Sequence, residues 1–159
     1  MSDRAGIAAA IGRIPSGLFV LTAGVGEQAT GALVSWVQQA GFAPPAVVVA
    51  LRADRAITQL VRAEQAFCLA VLSVGEKKLM GHFARGFDPG EPAFRGIELA
   101  TSSLGVPYPA AASSWLGCRV LAETRGITDH VLFCAEVIEG RGSSDVEPLI
   151  HVRKTGLSY

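Results

Sequence analysis

The stretch GALVSWVQQAGFAPPAVVVAL, Gly31 to Leu51, decides how the rest of the chain is read. It opens as an apolar strand, turns polar and aromatic at Ser35, Trp36, Gln38 and Gln39, reaches Pro44 and Pro45, and ends in AVVVAL. Proline cannot donate to a strand ladder, so the double proline stands before or at the first residue of a strand. The AVVVAL run has no polar alternation, which predicts cover on both faces. A polar segment holding a Trp, a Ser and two Gln is more than a hairpin turn requires, so its side chains are expected to face something specific.

Working outward, the Ala-rich segment from Arg4 to Ile14 predicts an N-terminal helix within residues 1–14, stopped by Pro15-Ser16-Gly17. GLFVLTA and ATGALVS flank Gly24-Val25-Gly26-Glu27-Gln28, the pattern of a hairpin. Gly24 to Ala29 also has the GxGxxA spacing of a dinucleotide-binding turn, but that motif opens a helix and TGALVSWV reads as strand. Beyond Leu51, Asp54 offers an N-cap to a helix of about Arg55 to Ala63, with Ile57, Leu60 and Val61 at helical spacing. AFCLAVLSV predicts a second doubly covered strand, and Glu76 to Ala84 a short helix carrying Leu79, Met80 and Phe83.

The Gly- and Pro-rich segment from Gly86 to Ala112 is too aromatic for a disordered linker and reads as an ordered excursion over a surface. Two long strands follow. Leu116, Cys118, Val120 and Ala122 make one apolar face in the first, and Val131, Phe133, Ala135 and Val137 make one in the second. The alternation places His130 on the other face with Leu132, Cys134 and Glu136, and places Asp129 away from it, so no Asp–His pair is expected. PLIHVRKTGLSY supplies a last short strand and a tail. Long strands, few short helices and no βαβ alternation predict a closed or half-closed antiparallel barrel with peripheral helices, one domain over 1–159.

Bulk composition narrows the function. Half of the 159 residues are hydrophobic, enough for one core burying roughly 70% of the unfolded surface. Lys plus Arg and Asp plus Glu both number 14, so no basic field is available for nucleic acid. Cys68, Cys118 and Cys134 lie far apart in apolar runs and read as buried hydrophobes in a reducing compartment. No apolar run approaches the ~20 residues of a membrane helix, and AGIAAAIG, flanked by MSDR and cut by Arg13 and Pro15, lacks the layout of a signal peptide. A cytoplasmic protein without a membrane anchor is expected.

Two places carry candidate chemistry. Arg52, Arg55 and Thr58 surround the start of a helix whose free amides attract anions, a plausible single-phosphate site, although an Asp54 cap would compete for those amides. His130 lies on a strand face not committed to the core, where a ring nitrogen can meet a ligand or another subunit. His82 reads as a surface residue of a short helix, and His151 as either surface or site. No GxSxG elbow, HExxH, Cys-x-x-Cys or Walker loop is present, and no metal site is expected.

Taken together, Gly31 to Leu51, ADRAITQL, AFCLAVL, KLMGHFARGFD with FRGI, SSWLGCRV and DHVLFCAEV resemble the flavin reductase-like family, the FMN-binding split barrel. The likeness runs over nearly the whole chain after Gly17 and is greatest to the flavin reductase module at the C-terminal end of cyanobacterial flavodiiron proteins. It implies a mainly β split barrel, 15–159, dimeric, that binds FMN, with FAD as the other flavin it could take. Leu33, Val34, Ser35 and Trp36 would face the isoalloxazine and ribityl groups, Ala50, Leu51 and Arg52 the ribityl chain, Arg55 and the helix start the phosphate, and Phe83 the flavin edge. His130 would lie near flavin and nicotinamide as a positioning or proton-donating group. Thr128 stands where the family has one glycine and Ala135 where it has another.

The expected activity is NAD(P)H:FMN oxidoreduction, hydride passing from nicotinamide to flavin N5. The expected partners are a second copy of the chain and an electron acceptor such as a monooxygenase or a diiron protein. The alternative is a split-barrel module that carries electrons on FMN or haem without reductase activity.

Overall fold

A computed structural model describes residues 3–159; Met1 and Ser2, the first residues of the expected N-terminal helical segment, lie outside the described residues. In chain order the elements are α1 (Arg4–Gly12), β1 (Ser16–Gly17), β2 (Phe19–Ala23), β3 (Thr30–Val34), β4 (Val37–Phe42), β5 (Pro45–Arg52), α2 (Ala56–Glu64), β6 (Ala66–Val71), α3 (Lys77–Ala84), β7 (Leu99–Thr101), β8 (Pro107–Pro109), β9 (Ser114–Glu123), β10 (His130–Arg141) and β11 (Ile150–His151). Seven strands form one antiparallel sheet in the order β3-β2-β6-β9-β10-β5-β4. The edge strands β3 and β4 stand at opposite ends of that order, yet only Ser35 and Trp36 separate them. Three Cα steps span at most about 11 Å. The sheet therefore curls until its two ends meet at Ser35–Trp36, while β3 and β4 share no ladder: a barrel split along one seam.

Alternation explains why β2 and β6 carry no charged residue and, apart from the buried Thr22, no polar one. Leu21 and Ala23 of β2 and Phe67 and Leu69 of β6 enter the barrel interior with Val49, Cys118 and Phe133. Val20, Cys68 and Ala70 enter a second core beneath α3 and the excursion, with Phe83, Val106 and Trp115. Both faces of these strands are buried, as expected for β6. The excursion is ordered: β7 and β8 form a hairpin, and Tyr108 stacks on Trp115 with ring centroids 3.9 Å apart.

Three expectations change. The segment Val37–Phe42 is itself a strand, an edge paired with β5 through a two-residue Ala43–Pro44 loop, and its exposed side includes Gln38 and Gln39. Its polarity belongs to an edge that faces solvent. Only one face of β5 is fully covered: Val47, Val49 and Leu51 are buried, while Val48 and Ala50 border an open apolar groove of about 550 Å³ shared with Ile14, Leu132 and Ile150. The apolar face of β9 ends at Val120, because a register shift leaves Leu121 without a partner on β10 and Ala122 exposed. The hairpin reading of Gly24 to Ala29 holds, with a single 3₁₀ turn at Gly26–Gln28 between β2 and β3.

Candidate functional site

The seam of the barrel is also its cleft. Trp36 O accepts a hydrogen bond from Ala50 N at 3.0 Å, which pins the two-residue crossing onto β5. Around it opens a cavity of about 360 Å³, within the range of roughly 300–1,000 Å³ typical of cofactor sites. Leu33 and Val34 at the end of β3 and Ala50 and Leu51 of β5 supply apolar walls, and Ser35 and Trp36 the polar join. Phe83 and Met80 of α3 close a third side. Helix α3 comes this near because Gly31 has no side chain; a Cβ there would stand 2.7 Å from Phe83 Cε1.

One end of the cleft is cationic, with Arg52 and Arg55 on its lining. Asp54 does not cap α2, contrary to expectation. Its carboxylate pairs with Arg52 at 2.7 Å, and Arg55 occupies the N-cap position with no side-chain cap bond. The first-turn amides of Ala56 and Ile57 thus have no partner among the described residues, and Arg55 makes no ion pair there. The competition expected from Asp54 is absent. Thr58 lies behind the cleft: helical spacing turns it inward with Ile57 and Val61, and its fully buried hydroxyl donates to Arg52 O at 2.7 Å. It braces the β5–α2 corner that carries the two arginines.

His130 reaches the cleft through its neighbours. The β10–β5 register sets it opposite Arg52, its ring lies 4.6 Å from that of Trp36, and it is 8% exposed. The expectation that Asp129 points away is overturned, since His130 Nδ1 bonds Asp129 Oδ1 at 2.8 Å. Asp129 precedes the first residue of β10, so strand alternation does not govern it; the Ala53 N–H donating to its carbonyl at 3.0 Å fixes it instead. The bond from His130 holds the exposed Asp129 carboxyl below the usual carboxylate range. On the other side, His130 Nε2 meets Tyr159 Oη at 2.7 Å.

Tyr159 is a residue of the candidate site that sequence reasoning missed. It lines the cleft with its ring 5.7 Å from Trp36, and burial of its hydroxyl end raises its pKa despite the nearby Arg55, Arg153 and Arg52. A lone Tyr in a tail without periodicity carries no positional signal. His151 is drawn to the cleft by pairing of β11 with β1. His82 is used elsewhere, its Nε2 donating to Ala93 O at 2.7 Å. Ala135, where the resembling family has a glycine, is fully buried in the barrel interior and does not touch the cleft. No cluster of three or more His, Cys, Asp or Glu suited to a metal gathers among the described residues, and no described helix is long and apolar enough to cross a membrane.

Comparison with known proteins agrees with this geometry. The flavin reductase like domain matches residues 11–156. Diflavin flavoprotein A 1 of Synechocystis is 39% identical over 152 residues, covering 94% of this chain and 26% of that protein; the chain thus spans about a quarter of the length of the curated relatives it matches. Among solved structures, the NADH:FAD oxidoreductase SgcE6 of Streptomyces globisporus superposes with a TM-score of 0.84 at 26% identity, covering 95% of this chain and 90% of that one, and it has also been solved in complex with NAD and FAD fragments. The styrene monooxygenase flavin reductase of Pseudomonas putida S12 shares the fold, with a TM-score of 0.75 at 24% identity over 91% of this chain and 90% of its own. With the fold, the cleft and these relatives in agreement, the chain belongs to the flavin reductase-like domain family.

Proposed function

We propose that the protein is an NAD(P)H:flavin oxidoreductase that seats FMN in the cleft at the barrel seam. The observation that carries this reading is that nine of the ten residues expected to bind the cofactor line one cavity, with Thr58 directly behind it. The donor set fits a flavin mononucleotide. Leu33, Leu51, Met80 and Phe83 give apolar walls for a flat ring system, Ser35 and the crossing backbone give polar groups at its edge, and Arg55 with the open amides of Ala56 and Ile57 gives an anion seat.

When bound, the flavin supplies a hydride acceptor for a reduced nicotinamide. The chain's own part is alignment and charge. Trp36 and Phe83 confine the cleft, Arg52 and Arg55 keep positive potential beside it, and apolar walls exclude water. His130 holds a proton at Nδ1 toward Asp129 and stands against the Trp36 face, where it acts on the position of that ring.

The apolar groove outside β5, with Ile14 65% and Ile150 73% exposed, supports burial against a second copy of the chain. The name of the Pseudomonas putida reductase supports onward transfer of electrons to a monooxygenase partner, a diiron partner rests on the resemblance to flavodiiron proteins, and three unpaired thiols support a cytoplasmic setting. Against the haem alternative, His82 and both ring nitrogens of His130 are already engaged, which leaves it only His151 on the cleft.

Anaerobic addition of NADH and then NADPH to the protein with FMN tests the activity. Bleaching of the flavin absorbance is expected with at least one of them; persistence with both would favour a carrier reduced by another donor. In His130→Ala, FMN binding should survive while reduction slows by about 100-fold, the scale of a loss of alignment at the reacting centre. Unchanged reduction kinetics would remove His130 from the site.

A further inference from the structure

We propose that Tyr159 is a positioning residue for His130. Its hydroxyl selects the ring tautomer and holds the imidazole against Trp36 at the edge of the cleft. The functional half of this statement rests on the flavin reading of that cleft; the structural half stands without it.

The bonding pattern leaves little freedom. A carboxylate only accepts, so the 2.8 Å contact with Asp129 places a hydrogen on His130 Nδ1. A neutral ring then presents a lone pair at Nε2, and the hydroxyl of Tyr159 at 2.7 Å is the donor that meets it. With His130 only 8% exposed, water is a poor substitute. The groups facing Tyr159 are Arg52, Arg55 and Arg153, which are cationic, and Asp129, which is anionic.

The tail brings Tyr159 there by contacts that do not involve its own side chain. Arg153 N donates to Gly12 O at 3.1 Å, and Gly156 N donates to Ala8 O at 2.7 Å. Gly156 lies so close to α1 that a Cβ would stand 2.3 Å from Ile11 Cβ. The Arg153 guanidinium sits 5.0 Å over the Trp36 ring. Removing the hydroxyl therefore leaves the tail docked. One strand residue, one crossing residue and one tail residue meet in a stacked, hydrogen-bonded group, and each would be poorly oriented without the others.

The test is nitrogen NMR of the His130 ring in the full chain without flavin, at about pH 8, above the ordinary histidine pKa of ~6.5, comparing the protein with Tyr159→Phe. The Nδ1–H form should dominate in the former. In Tyr159→Phe the tautomer ratio should shift toward Nε2–H by about 3- to 10-fold, the ratio that corresponds to one neutral hydrogen bond. In the same variant the flavin reduction rate should fall by a similar factor with flavin affinity unchanged. An unaltered tautomer ratio would overturn the proposal, as would a reduction rate that does not move in an active enzyme. A protein that reduces no flavin at all would count against the reductase reading, and the tautomer ratio would then judge the positioning alone.

Discussion

The barrel interior and the seam are built from the same strands by opposite means. Inside, Leu21, Val49, Phe67, Leu69 and Phe133 are all fully buried and apolar, each placed by strand alternation. At the seam, Trp36, His130, Arg153 and Tyr159 come from a two-residue crossing, a strand end and a tail, and they are held by stacking and directed hydrogen bonds. The interior supplies stability and tolerates no void. The seam supplies geometry, and most of its members can change without unfolding the chain. Stability and chemistry are thereby largely separated in space, and they meet where Ala32, Leu51 and Ile57 of the interior also line the cleft.

The sharpest way to break that separation is Phe133→Ala. It should cost about 3–5 kcal/mol in chemical denaturation; a loss below 1 kcal/mol would mean the interior is not the source of stability. Thiol chemistry draws the same boundary. Burial pushes Cys68 up to about 11 and Cys118 up to about 12 from 9.0, whereas Cys134 lies half-exposed on the outer face of β10. In the native protein an alkylating reagent should label Cys134 at least about 10-fold faster than the other two, because they are buried and their thiols are held protonated. Equal labelling of all three would show an interior open to solvent.

On the seam side, Arg55→Ala should weaken FMN binding by about 10- to 100-fold, the worth of a charge-assisted hydrogen bond, and leave riboflavin, which lacks the phosphate, nearly unaffected in a calorimetric titration. Equal losses for both ligands would move the phosphate elsewhere. The smallest effect concerns Asp129. Its pKa is lowered from 3.8 by the bond with His130, so its contribution to stability is present above pH 3.8 and lost as pH falls through the lower folded value. Asp129→Asn should remove that acid-side dependence from a denaturation series, lowering stability above pH 3.8 by the same amount and leaving the acid limit unchanged, and the amount is small because the carboxyl is exposed.

The interior was legible in the sequence because alternation is a local code. AFCLAVL and the two long strands announce most of their buried positions residue by residue, whereas AVVVAL announces cover on two faces and has it fully on one, since Val48 and Ala50 border the outer groove. The code lapsed where register shifted, at Leu121 and Ala122, and where an exposed edge strand, Val37–Phe42, has too much polarity to read as a strand. The seam was legible through resemblance for Leu33 to Trp36, Ala50 to Arg52, Arg55 and Phe83, all on the cleft. It was opaque for Asp129 and Tyr159, since neither sits within a periodic element. Asp54 misled for a physical reason: a free arginine two residues away competed successfully for its carboxylate.

A crystal structure of the protein grown with FMN tests the central claim most directly. The account predicts the phosphate at Arg55 and the first-turn amides of α2, with the ring system between the β3–β4 crossing and Phe83. Flavin bound outside the seam, in the groove beyond β5, with the cleft empty, would contradict it.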